Sequence, residues 1–238
     1  MLKKVLVIFI ISFFVIIISL VVMNNDVKSK HGSIASSEAI KTIEITAKEA
    51  AIIGLDNAKD FISEPLFVRI NSTDYADDPS HYSGQDGRRR VWYASIGNID
   101  GSKWITYTIV DKNIVDIHGD DASNYDEFIY FQKGKYNIGD IMIDSDDAVR
   151  IAIEEKGLKP GDPEKPADWL VGYHFNIGDV IVSGNASDTK FKLAIIVSGI
   201  SPNGNLATVT IDQKTGEILG AGEQTGYDKD GHSVWEAF

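Results

Sequence analysis

Clusters of carboxylates are the first residues in this sequence that could do chemistry. Asp74-Tyr75-Ala76-Asp77-Asp78-Pro79-Ser80-His81, with Asp86 close behind, gathers oxygen donors of the kind that hold Ca²⁺. Asp228-Lys229-Asp230-Gly231-His232 has the opening of a calcium loop. Neither completes a ligand set: the first lacks a glycine at the sharp turn, and the second lacks a bidentate glutamate at its far end. Both therefore read as solvated acidic turns. His31, His81, His118, His174 and His232 are scattered, with no i,i+4 pair and no His-Glu-x-x-His, so no zinc set is expected. Cysteine is absent, which removes thiol nucleophiles, disulfides, iron–sulfur clusters and lipobox lipidation.

Other catalytic patterns also fail. There is no Gly-x-Ser-x-Gly elbow, and Ser198-Gly199 leads to the turn residues Ile200-Ser201-Pro202. Gly220-Ala221-Gly222 has no helical pattern behind it, so no dinucleotide loop is read there. The sequence assigns no catalytic residue, no cofactor-binding residue and no metal ligand. The alternative kept open is an envelope hydrolase or calcium-binding protein whose Asp74, Asp77, Asp78, Asp228 or Asp230 converge in space. The aromatic residues Trp92, Tyr93, Trp104 and Tyr107 could anchor a partner. Alternation along a strand sends Trp92 and Tyr93 to opposite faces, and core packing is the expectation for one of each such pair. Arg88-Arg89-Arg90 is the one basic cluster, and it is expected to neutralise acidic neighbours. With a net charge of −12, the chain is not a nucleic-acid binder.

The elements that would position these residues begin with a membrane segment. Val5 to Met23 is 19 residues without a charge, and only Ser12 and Ser19 are polar. As a helix it would reach about 28 Å, close to the hydrocarbon thickness of a bilayer. Val21-Val22-Met23-Asn24 is no signal-peptidase site, so an uncleaved anchor is expected over residues 1–23. Lys3 and Lys4 precede it and a large acidic portion follows, which places the N-terminus inside and the remainder outside the cell. A disulfide-free exported chain suits a Gram-positive envelope. Residues 24–45, rich in Ser, Asn and Lys at their start, read as a stalk.

Two similar halves follow, expected as units at 46–138 and 139–238. Ile45-Thr46-Ala47-Lys48-Glu49-Ala50-Ala51 lies over Ile143-Asp144-Ser145-Asp146-Asp147-Ala148-Val149 at an offset of 98. Thr46 with Glu49 forms a capping box, and Asp144 or Ser145 with Asp147 a relative of one. Helices are predicted over 46–62 and 145–156, the second stopped by Gly157 and Pro160. Period-two patterns predict strands at 66–70, 91–96, 104–110 and 114–117, then 169–177, 180–183, 191–200, 206–211 and 217–221. An extra hairpin at 127–131 would bridge the halves.

The second half resembles the PepSY domain. The resemblance rests on Asp147-Ala148-Val149-Arg150-Ile151-Ala152 opening a helix and on Asp212-Gln213-Lys214-Thr215-Gly216-Glu217 turning between two strands. It covers roughly residues 143–221 and is fainter in the first half, where Asp111-Lys112-Asn113 is a shorter turn. It implies an α+β fold in which each unit lays a helix on an antiparallel sheet, PepSY- or cystatin-like. It also implies an extracytoplasmic module that restrains or regulates peptidases or envelope signalling proteins, and it offers no catalytic residues. The expectation is a non-catalytic, membrane-tethered regulatory module that binds an envelope protein or peptide, with no cofactor.

Overall fold

The computed structural model describes residues 42–73, 83–121, 134–162, 171–183 and 190–238. The expected anchor at 5–23, most of the stalk, the acidic loop at 74–81 and the hairpin at 127–131 lie outside the described residues. No helix among the described residues is long and apolar enough to cross a membrane.

Helix α1 spans Ala47–Ala58 and α2 spans Ser145–Lys156. Thr46 and Glu49 form the reciprocal capping box that their spacing predicts, satisfying two donors the helix leaves open. Helix α1 stops sooner than the predicted residue 62. The N–H groups of Phe61 and Ile62 both turn back to the Ala58 carbonyl, and Glu64 follows at φ +54°. In α2, Gly157 adopts the left-handed conformation that ends a helix at no steric cost. The start of α2 also caps α1: Ser145 Oγ accepts from the Ala47 N–H, and Asp144 Oδ1 accepts from the N–H groups of Lys48 and, at its own helix, Ser145.

The strands are β1 Leu66–Thr73, β2 Val91–Gly97, β3 Lys103–Val110, β4 Asn113–Asp121, β5 His174–Ser183, β6 Lys190–Ile200, β7 Leu206–Asp212, β8 Ile218–Tyr227 and β9 Ser233–Ala237. They form one antiparallel sheet in the order β4-β3-β2-β1-β5-β6-β7-β8-β9. This overturns the expected fold class. The structure has a single nine-stranded sheet with two short helices, and the layout of two helix-plus-sheet units of PepSY or cystatin type is not what it shows. The physical reason is the central pair. Left apart, β1 and β5 would each be an exposed edge, and instead they hydrogen-bond to each other with Ile70 opposite Ile177 and Asn71 opposite Asn176. Side chains stitch the join: Ser72 Oγ accepts from the Phe175 N–H, and Arg69 Nε donates to Asn176 Oδ1.

One strand expectation also falls, and one strand was missed. The break predicted between residues 177 and 180 does not exist, because Gly178 continues the ladder opposite Ala194. Strand β9 was not read from the sequence at all. Both helices lie on one face and share one core with Phe67, Ile70, Trp92, Tyr107, Phe175, Ile177, Val197 and Val209. Trp92 is fully buried, stacks on Phe175 and donates from Nε1 to the carbonyls of Ile45 and Arg89. Gly54 of α1 sits so close to Ala94 that a Cβ would approach within 2.8 Å, which lets the helix settle against β2.

Candidate functional site: an open sheet edge

The sheet has two ends, and they differ. At one end β4 pairs with β3 from Val110–Asn113 out to Lys103–Asp121, and its other side meets no described strand. Val115 and Ile117 are 53% and 52% exposed, unusual for large apolar residues in mid-strand. Ile117 stands opposite Tyr107, a core residue, so it lies on the helix-bearing face. Asp116 and His118 stand opposite Thr108 and Thr106 and share the other face. The His118 ring sits 5.8 Å from Trp104 at a tilt of 60°. One extra residue, Val115, interrupts the ladder as a bulge between the Thr108 and Ile109 pairings.

The turn that sets β4 against β3 is a two-residue hairpin in which Asp111 and Lys112 both have positive φ, +49° and +69°. Side chains hold this conformation. Asp111 accepts from the Ile43 N–H, and Arg90 grips both of its carboxylate oxygens at 2.9 and 2.8 Å. The basic cluster thus does as expected, with Arg88 against Glu49 and Arg90 against Asp111. Arg89 goes further. Fully buried, it donates from Nη1 to the carbonyls of Tyr173, Val171 and Ser83, fastening the 83–90 segment to the approach of β5.

At the other end, β9 covers β8, with Glu223 opposite Glu236 and Gln224 opposite Trp235, and Trp235 is buried. The β8–β9 turn holds Asp228, Asp230 and His232, whose ligand atoms fall within 4.8 Å of one another, all exposed. Asp228 is committed to the turn: its Oδ1 accepts from the N–H groups of Asp230 and His232, and those bonds hold its carboxyl below the usual range. The Asp74, Asp77 and Asp78 that were to join it lie outside the described residues. Asp86 accepts from the Arg88 N–H, as a turn residue does. His174 lies in β5 near Ser72 Oγ.

Two buried carboxylates, Asp212 and Glu223, occur where no sequence motif marked them as chemical, and each closes a turn. Burial alone would push Asp212 up, but Lys192 at 2.6 Å and the N–H groups of Lys214 and Thr215 bring its carboxyl below its ordinary range. Gly216, at φ +72°, completes that turn by donating to the Asp212 carbonyl. Gln213, almost fully buried, accepts from Met142 and Ile143 and donates back to the Ile143 carbonyl, which ties the start of α2 to the β7–β8 turn. Glu223 receives Ser201 Oγ at 2.5 Å and the amides of Asn203 and Asn205, locking the β6–β7 hairpin. Asp179 accepts from the Tyr136 hydroxyl and the Gly134 N–H. Ser201 with Glu223 was missed by sequence reading, since 22 residues separate them and neither sits in a motif.

These carboxylates are engaged in building the sheet, and of its two terminal strands among the described residues β4 is the longer, nine residues against five in β9, and bears the more exposed apolar side chains. No protein-family model matches the chain, and no curated protein matches it. Among solved structures it is similar to a candidate lipoprotein of Clostridium difficile 630, with 15% identity and a TM-score of 0.45 over 76% of this chain and 95% of that one. A likeness this distant assigns neither fold nor function.

Proposed function

We propose that the chain is a non-catalytic, membrane-tethered module facing the cell envelope, which binds an envelope protein or peptidase by accepting an extended segment along β4. One observation carries the reading. Among the described residues the β4 edge meets no further strand and bears Val115 and Ile117, both more exposed than Val234 of β9, the short strand at the other margin. Backbone groups of an open edge give such a strand affinity, and alternate side-chain positions give it selectivity. The uncharged run at 5–23 supports the tether.

The carboxylate reading gains no comparable support, because the Asp228 lone pairs serve their own turn. The test is a photo-crosslinking amino acid placed at Val115 in whole cells, with Val234 of β9 as control. Discrete crosslinked species at Val115 and none at Val234 support strand acceptance at β4. Equal labelling at both edges, or none at either, counts against it.

A further inference from the structure

The proposed function rests on an edge that accepts a strand, and the residues of β4 specify which strand fits. We infer that β4 pairs antiparallel with β4 of a second copy of this chain, about a two-fold axis at Ile117. Strand β4 runs from Asn113 to Asp121, so Ile117 is its midpoint, and a register centred there pairs residues 115–119 before the bulge at Val115 ends the alternation. In that register Ile117 meets Ile117 of the second copy on the helix-bearing face, covering an apolar side chain that the single copy leaves half exposed. On the other face each Asp116 stands opposite a His118, giving two symmetric carboxylate–imidazole pairs. Val115, the bulged residue, faces Gly119, which has no side chain to obstruct it.

Neighbouring registers are worse. Centring on Asp116 sets two carboxylates against each other, and centring on His118 sets imidazole against imidazole and Ile117 against Gly119. Like charges directly opposite destabilise a strand pair, so the charge pattern selects Ile117 as the centre. A two-fold axis perpendicular to the sheet also keeps both helix-bearing faces on the same side. A single strand edge falls near or below the roughly 1,000 Å² of a stable interface, so the effective concentration supplied by a shared membrane completes the association. Self-pairing and capture of another protein compete for the same edge.

The chain has no cysteine, so a single introduced thiol reports contact cleanly. Full-length Ile117→Cys in lipid vesicles, treated with a mild oxidant, is expected to give a band at twice the monomer mass, because opposed antiparallel residues lie within disulfide reach. Val234→Cys on the opposite edge is expected to stay monomeric. Adding Asp116→Lys to Ile117→Cys is expected to lower the yield several-fold, and adding His118→Glu to both is expected to restore it by exchanging the charges. Equal dimer yield from the two edges, no dimer from Ile117→Cys, or no rescue by the charge exchange overturns the inference. Absence of the Ile117→Cys dimer alongside Val115 photo-crosslinks to a different protein overturns self-pairing and leaves strand acceptance standing. Silence in both experiments removes both.

Discussion

Strand β8 is held between β7 and β9, whereas β4, which occupies the matching place at the far end, is held by β3 alone among the described strands. Both follow a helix and three antiparallel strands, and both leave their turn on an aspartate. That aspartate is Asp111 before β4, clamped by Arg90 and the Ile43 N–H, and Asp212 before β8, clamped by Lys192 and two turn N–H groups. The halves thus solve the same turn with different residues and finish differently. β8 shows that a strand in this position takes a further antiparallel partner and that an aromatic side chain, Trp235, is buried in the process. β4 has the same opportunity unfilled among the described residues. Strand β9 moves the margin outward by five residues of strand, whereas β4 is a nine-residue margin whose apolar side chains are the more exposed.

The comparison breaks most visibly at β9. Trp235→Ala should cost about 3 kcal/mol, the low end for a buried tryptophan at a sheet margin, and should turn β8 into an edge like β4. Urea unfolding gives the loss, and hydrogen exchange should show β8 amides opening ahead of those in β6. A loss near zero would mean that β9 is an ornament and that the two edges were never different in kind.

Next in size is the aspartate of the first turn. Asp111→Ala removes the acceptor of the Ile43 N–H and of two Arg90 donors, which should cost about 2–3 kcal/mol. The loss should appear first as faster exchange in β3 and β4. If exchange in β7 and β8 accelerates equally, the halves unfold as one cooperative unit and the local reading of the clamp fails.

Acid sharpens the contrast through Asp212. Its folded carboxyl titrates below its ordinary value near about 4, so it contributes stability above that value and loses it as pH falls through the lower folded value. Asp212→Asn should therefore be less stable than the parent at neutral pH and lose less on acidification below about pH 4. Urea midpoints measured from pH 7 to pH 3 check this. A parallel slope for parent and variant would place acid sensitivity elsewhere, with Glu223 the next group whose carboxyl is held low.

The smallest effect expected is a gain. Lys112 holds φ +69°, a conformation that costs an ordinary side chain about 1 kcal/mol and glycine almost nothing. Lys112→Gly should raise stability by up to that amount in thermal unfolding, offset by the lost contact with Glu49 at 3.6 Å between exposed groups. The matching position in the other turn already carries Gly216.

Local chemistry was legible. Thr46 with Glu49, Gly157, Gly216 and the period-two strands could be read because each expresses a preference satisfied within a few residues. Strand β9 escaped because Ser233-Val234-Trp235-Glu236-Ala237 is short and follows an Asp/Gly-rich turn, so its pattern is too brief to separate from a tail. The continuity of β5 escaped because glycine reads as a break, although opposite Ala194 it passes through the ladder unhindered.

The sequence by itself determined where helices start, which residues face a core and where turns need positive φ, since those follow from short-range sterics and hydrogen bonding. It also determined that the chain offers no thiol, since it contains no cysteine. Only the tertiary structure decided that β1 and β5 join the halves into one sheet, that Arg89 and Glu223 are buried in the frame, and that β4 and β9 are its margins among the described residues. Those outcomes depend on backbone groups pairing across a hundred residues, and backbone groups are identical at every position, so no residue type announces which edge will meet which.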